Sequence, residues 1–154
     1  MALPPCGLYR TLQAVAGIPA RRLVYFHNHG DPGAGLYLPA EWSANRVTWQ
    51  TRGHTLPDER AAEHLAALPA EGLYAVKEAF FCCENKCVKY EANQLVQLGY
   101  DGEATPLLFI PELIKGGGLG FPERGNRLDD GQLQLLMPLK VAQSTQAPRD
   151  AFVH

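Results

Sequence analysis

Leu95-Val96-Gln97-Leu98-Gly99-Tyr100-Asp101-Gly102-Glu103-Ala104-Thr105-Pro106-Leu107-Leu108-Phe109-Ile110-Pro111 is the stretch on which the fold turns. Gln94 to Tyr100 and Pro106 to Ile110 are rich in residues that suit a pleated strand. Between them Asp101-Gly102 supplies the positive φ angles of a tight hairpin. Pro111 stops the second run, because proline has no N–H to give to a ladder. Seventy-two residues earlier the chain reads Arg22 to Asn28, a turn at His29-Gly30-Asp31-Pro32-Gly33, then Gly35 to Leu38 and Pro39. The two passages share one pattern.

Superposed without gaps, residues 20–56 match 92–128 at nine of 37 pairs, where ordinary composition gives about two. Apolar positions also coincide, with Tyr37 over Phe109, Val47 over Leu119 and Trp49 over Phe121. Each half adds a third strand, Arg46 to Thr51 and Leu119 to Phe121, and a leading segment, Leu8–Leu12 and Tyr74–Phe81. Asp58 to Leu68 reads as a helix with Ala61, Leu65 and Leu68 on one stripe and Thr55 or Asp58 as its cap. The expected fold is mainly β: two tandem, internally duplicated, small SH3-like antiparallel barrels with one short helix. SH3-like describes the architecture and is an analogy of fold alone. Repeat 1 occupies 1–71, repeat 2 occupies 72–143, and 144–154 form a flexible tail.

Composition excludes several classes. Fourteen basic and sixteen acidic residues leave a formal charge of −2, so no broad basic face exists for nucleic acid. The longest apolar run, Leu107-Leu108-Phe109-Ile110, is far too short to span a membrane. The first residues, Met1-Ala2-Leu3-Pro4-Pro5-Cys6, carry no export signal, so a cytoplasmic chain with reduced thiols is expected. No Walker loop, nucleophile elbow, H-E-x-x-H or dinucleotide glycine pattern is present, and Gly116-Gly117-Gly118 reads as a turn.

Two stretches suggest metal chemistry. Cys82, Cys83 and Cys87, with Cys6 as a further thiolate, are candidate ligands for zinc, the one cofactor considered. The gapless superposition sets Arg10, Thr11 and Val15 against these three, so the cluster belongs to one repeat. No second cysteine pair with CxxC spacing accompanies it, and buried free thiols or a reversible Cys83–Cys87 disulfide are the competing readings. In His27-Asn28-His29, two imidazoles share one face of a strand and Asp31 follows in the turn, which suits a divalent ion or a hydrated hairpin tip.

The aromatics of repeat 1 suggest recognition. Tyr25, Tyr37, Trp42 and Trp49, with Arg52 beside them, are the candidate binding residues for an extended peptide. The leading expectation is a non-enzymatic, protein- or peptide-binding regulatory module, with self-association as a further option. The alternative is a metal- or thiol-dependent enzyme centred on Cys82, Cys83 and Cys87, and the third is a structural subunit of a larger assembly.

Overall fold

The computed structural model describes residues 3–142, and the tail expected at 144–154 lies outside them. Leading strands β1 (Gly7–Thr11), β2 (Leu23–His27) and β3 (Gly35–Tyr37) open the first half. A hairpin of β4 (Pro39–Ser43) and β5 (Arg46–Trp49) follows, then β6 (His54–Thr55), a 3-10 helix over Glu59–His64 and β7 (Leu65–Ala67). The second half begins with β8 (Gly72–Val76) and a hairpin of β9 (Phe80–Phe81) and β10 (Lys89–Tyr90). It continues through β11 (Leu95–Tyr100), β12 (Pro106–Phe109), the hairpin β13 (Glu112–Leu113)–β14 (Leu119–Gly120) and β15 (Asn126–Arg127). A second 3-10 helix, Asp130–Leu135, leads into β16 (Leu136–Pro138).

These strands form two five-stranded antiparallel sheets, ordered β6-β3-β2-β1-β7 and β15-β12-β11-β8-β16. The order is the same, and so is the register. Tyr25 faces Tyr37 as Gln97 faces Phe109, and Leu36 faces His54 as Leu108 faces Asn126, each pair 72 residues on. In the leading strand the offset is shorter: Gly7 faces Phe26 as Gly72 faces Leu98, and Tyr9 faces Val24 as Tyr74 faces Val96. Both tyrosine hydroxyls then donate four residues back, Tyr9 to the Pro5 carbonyl and Tyr74 to the Ala70 carbonyl.

Three expectations need correction. Neither sheet closes into a barrel among the described residues. After Tyr37 the chain meets Pro39, where the β4–β5 register also shifts, and after Phe109 it meets Pro111. Each proline interrupts the ladder, and the hairpin beyond pairs only with itself. The helix expected over Asp58–Leu68 is a 3-10 helix that stops at His64. Asp58 is its cap, accepting from the Ala61 N–H at 3.0 Å. Leu65, Ala66 and Ala67 instead pair with Thr11, Arg10 and Tyr9, so the edge of the sheet takes residues that propensity assigns to helix. Finally, the shared register sets Arg10 and Thr11 against Ala75 and Val76 rather than against Cys82 and Cys83. The cysteines lie around β9–β10, where the first half has only a single-bridge turn, Val15 to Ile18, between β1 and β2.

Two cores follow from the two sheets. Tyr9, Val24, Phe26, Leu36 and Ile18 fill the first. The second gathers Tyr74, Val76, Val96, Leu98, Tyr90 and Leu108, and also takes Leu23 and Val47 from the first half. The seam between halves is therefore apolar at its centre, and its margin is hydrogen-bonded. Arg10 makes a two-pronged contact with Asp130, at 2.6 and 2.9 Å, and donates to the Ala104 carbonyl at 2.6 Å. Trp42 donates its indole N–H to the Tyr100 carbonyl at 2.8 Å. At the tip of β4–β5, Ala44 and Asn45 have positive φ, as a tight hairpin requires. Asn45 there donates to Gln97 Oε1 and to the Pro122 carbonyl at 3.0 and 2.9 Å.

Glu71 sits on this seam, accepting the Val47 backbone N–H at 3.1 Å. Burial pushes its carboxyl up to about 7, against the opposing pull of that N–H and of Arg46. Glu71 thus holds its proton more tightly in the folded chain than in the unfolded one. Its stabilising contribution is complete below about pH 4.5 and is lost as pH rises to about 7. Glu71→Gln, a neutral isostere that still accepts from Val47, is expected to raise stability at pH 8 by about 1–2 kcal/mol, allowing for partial exposure. At pH 4 the two proteins should match within about 0.5 kcal/mol, as read by urea denaturation.

Candidate functional site

The register of β1 against β2 builds the site. Because Gly7 faces Phe26, the residue before it, Cys6, arrives opposite His27 at the end of β2. Successive side chains on a strand alternate, so Val24 and Phe26 enter the first core while Leu23, Tyr25 and His27 take the other face. Cys6 Sγ lies 3.7 Å from His27 Nδ1. Together with His29 they form the one group of three or more candidate ligands, among the described residues, whose donor atoms all lie within 4.8 Å of one another. His27 is buried at 6% exposure, Cys6 is half-buried and His29 is exposed, so the group runs from the interior to solvent.

Asn28 organises these donors. Its Nδ2 donates to the Pro4 carbonyl at 3.2 Å, which fixes the amide with Oδ1 toward the cluster. Cys6 donates its thiol to that oxygen at 3.2 Å, and the Asn28 backbone N–H returns a bond to the sulfur at 3.3 Å. His29 Nδ1 lies 2.7 Å from the same oxygen. Since an amide oxygen only accepts, Nδ1 carries the proton and a neutral His29 keeps its lone pair on Nε2. The His27 and His29 rings lie 3.9 Å apart between centroids.

His29 also begins the wall of a pocket of about 370 Å³, shared with Asp31, Tyr37, Thr51, Arg52 and Thr55. Tyr37 lies over Gly53, where an added Cβ would come within 2.8 Å of the ring, so any other residue there must push the ring aside. Arg52 makes no ion pair among the described residues. Asp31 lines the pocket but is not part of the three-donor group.

The aromatic residues do not all stay together. Tyr25 pairs directly with Tyr37 across β2–β3, and its ring lies 5.8 Å from that of Trp49. Burial, and then the neighbouring Cys6, raise the Tyr25 hydroxyl above its ordinary value. Trp42 instead turns to the seam, where its indole contacts Tyr100 and its far ring edge approaches Gly102. Trp49 packs at the margin of the second core. Tyr25, Tyr37 and Arg52 thus line one region, while Trp42 belongs to the contact between halves.

The cysteines also separate. Cys82, Cys83 and Cys87 form a chain of sulfur contacts at 3.5 and 3.8 Å, whereas Cys6 stands with the histidines. All four thiols are free. Sequence reasoning noticed His27, His29 and Asp31 but assigned Cys6 to the other cysteines. A signal for its true place was available: Gly7-Leu8-Tyr9 recurs as Gly72-Leu73-Tyr74, which aligns the leading strands and sets Cys6 level with Glu71. A scan against family models finds no match, and neither the curated proteins nor the solved structures yield one.

Asn28→Ala removes three polar contacts at once and frees the segment before β1. The expected result is a loss of about 1–3 kcal/mol in denaturant unfolding. Alkylation of Cys6, followed by peptide mass, should also run at least about tenfold faster, since the local opening that exposes it becomes cheaper.

Proposed function

We propose that this chain is a metal-binding protein, holding a borderline-soft divalent ion, zinc by donor chemistry, through Cys6, His27 and His29. The observation that carries the reading is the convergence of one thiol and two imidazoles within 4.8 Å. A tetrahedral zinc ion, with bonds of about 2.3 Å to sulfur and about 2.0 Å to nitrogen, separates those donors by about 3.5 Å. The 3.7 Å between Cys6 Sγ and His27 Nδ1 is close to that edge. Asn28 supports two of the three ligands from behind, its backbone N–H donating to the Cys6 sulfur and its amide oxygen accepting from His29 Nδ1, the part a hydrogen-bonded outer residue plays around many metals. Three protein donors leave one coordination position, and His29 carries the site to the pocket beside Asp31, Thr51 and Arg52. Four free thiols suit a reducing, cytoplasmic setting.

The framework we infer is a duplicated pair of SH3-like units. Its support is the shared strand order, the shared register and a 3-10 turn before each last strand. Binding of metal by one unit alone then reflects side chains that only that unit carries.

Isothermal titration of the reduced, metal-free protein with zinc is expected to show one site of submicromolar affinity. Cys6→Ser and the exposed His29→Ala should each weaken it by about 10- to 100-fold, while Cys83→Ser and Cys87→Ser should leave it within about threefold. Wild-type affinity in His29→Ala, or loss of binding in the Cys83 variant, would overturn the assignment.

A second reading, recognition of a peptide, draws on Tyr25, Tyr37 and Arg52 gathered beside the same pocket. It predicts that the protein enriches defined sequences from a displayed random-peptide library. Tyr37→Ala and Arg52→Ala should abolish enrichment with zinc affinity unchanged.

A further inference from the structure

The hairpin β9–β10 carries chemistry that the metal site does not use. Its tip, Cys83-Glu84-Asn85-Lys86-Cys87, is closed by a Lys86 N–H bond to the Cys83 carbonyl at 3.0 Å. A second bond, from the Cys82 N–H to the Val88 carbonyl at 2.9 Å, and the pairs Lys89–Phe81 and Tyr90–Phe80 hold its base. Lys86 has a positive φ, and its ammonium lies 5.4 Å over the Phe81 ring. On this braced loop the Cys83 and Cys87 sulfurs stand 3.8 Å apart, with Cys83 half-buried and Cys87 exposed. Cys82, whose sulfur is 3.5 Å from that of Cys83, is buried in the second core.

We propose that Cys83 and Cys87 form a dithiol site that exchanges with small disulfides, reversibly closing a Cys83–Cys87 bridge on the hairpin. The Cys83 thiolate attacks one sulfur of a low-molecular-weight disulfide, forming a mixed disulfide and expelling one thiolate, which takes up the proton Cys83 gave up. Cys87, once deprotonated, attacks the Cys83 sulfur and expels the second small thiol. Two protein thiols are oxidised, one small disulfide is reduced to two thiols, and every atom is accounted for.

The geometry assigns the roles. The N–H of Cys87, then the thiol of Cys82 and the N–H of Asn85, are directed at the Cys83 sulfur and hold its thiol below the ordinary value. The same proximity pushes Cys87 up. The thiol that ionises first is the attacking one, and the exposed neighbour resolves it. Cys82 is excluded as the partner because consecutive Cα atoms are about 3.8 Å apart across a trans peptide, below the usual disulfide span. Its place in the core also shields it from a soluble disulfide.

The test is intact-mass analysis of the full chain held in oxidised glutathione, followed by peptide mapping. Wild type is expected to lose two hydrogens, with the bridge mapped to Cys83 and Cys87, and to recover both under reduced glutathione. Cys87→Ser should stop at the stage of one bound glutathione, on Cys83. Cys83→Ser should form no bridge in the hairpin and react about tenfold more slowly. Both thiols remaining free in wild type, a bridge mapped to Cys6 or Cys82, or glutathione on Cys82 in the Cys87 variant would each overturn the proposal. Zinc affinity reports on Cys6, His27 and His29 independently, so failure of one reading is distinguishable from failure of the other.

Discussion

Strand β2 sends Val24 and Phe26 into the first core and Leu23 into the second, each fully buried, so it is anchored from both faces. This double burial constrains everything around it. A slip of one residue would exchange the two faces, taking Leu23 out of the seam and His27 away from Cys6. Such a slip is therefore expensive in both halves of the molecule at once. The same strand that joins the halves also fixes the depth at which His27 meets its thiol.

The two halves use their equivalent hairpins differently. In the first half, β4–β5 lies across the seam, with Val47 buried in the second core and Asn45 bonded to Gln97. In the second half, β13–β14 carries Leu113 at 83% and Ile114 at 52% exposure. Shared topology thus does not entail a shared environment. What anchors the first hairpin is the second core at Val47 and Gln97 at Asn45, and β13–β14 has no such anchor within the described residues.

Much of the framework was legible because it is local. The Asp101-Gly102 turn, the prolines after β3 and β12, and the alternation in β2 and β11 all act within a few residues. The 72-residue offset aligned three strands of each sheet, β2, β3 and β6 with β11, β12 and β15, for the same reason. It failed in the leading strand, where the connection after β8 carries the longer β9–β10 hairpin and no gapless comparison can follow. Cys6 was misassigned at that point, since its partner depends on how β1 registers against β2 across an intervening loop. The segment after Asp58 was misread for a related reason. Its composition favours helix, but β1 offers Leu65–Ala67 a sheet edge whose N–H and C=O groups need partners.

The site exists in one half because the other half has spent the same address on docking. By register, Cys6 corresponds to Glu71 and His27 to Gly99. In the second half that corner of the sheet receives the β4–β5 hairpin: Glu71 accepts the Val47 N–H, and the Asn45 carbonyl passes Gly99 so closely that a Cβ there would lie 2.9 Å from it. A histidine at position 99 would therefore displace the hairpin and open the seam. In the first half no hairpin among the described residues covers the corner, so a bulky imidazole can occupy it and a thiol can stand opposite. One position in this strand pattern cannot both receive a packed hairpin and hold a thiol beside an imidazole. The two halves resolve that conflict by differing at these residues while keeping the same ladder beneath them.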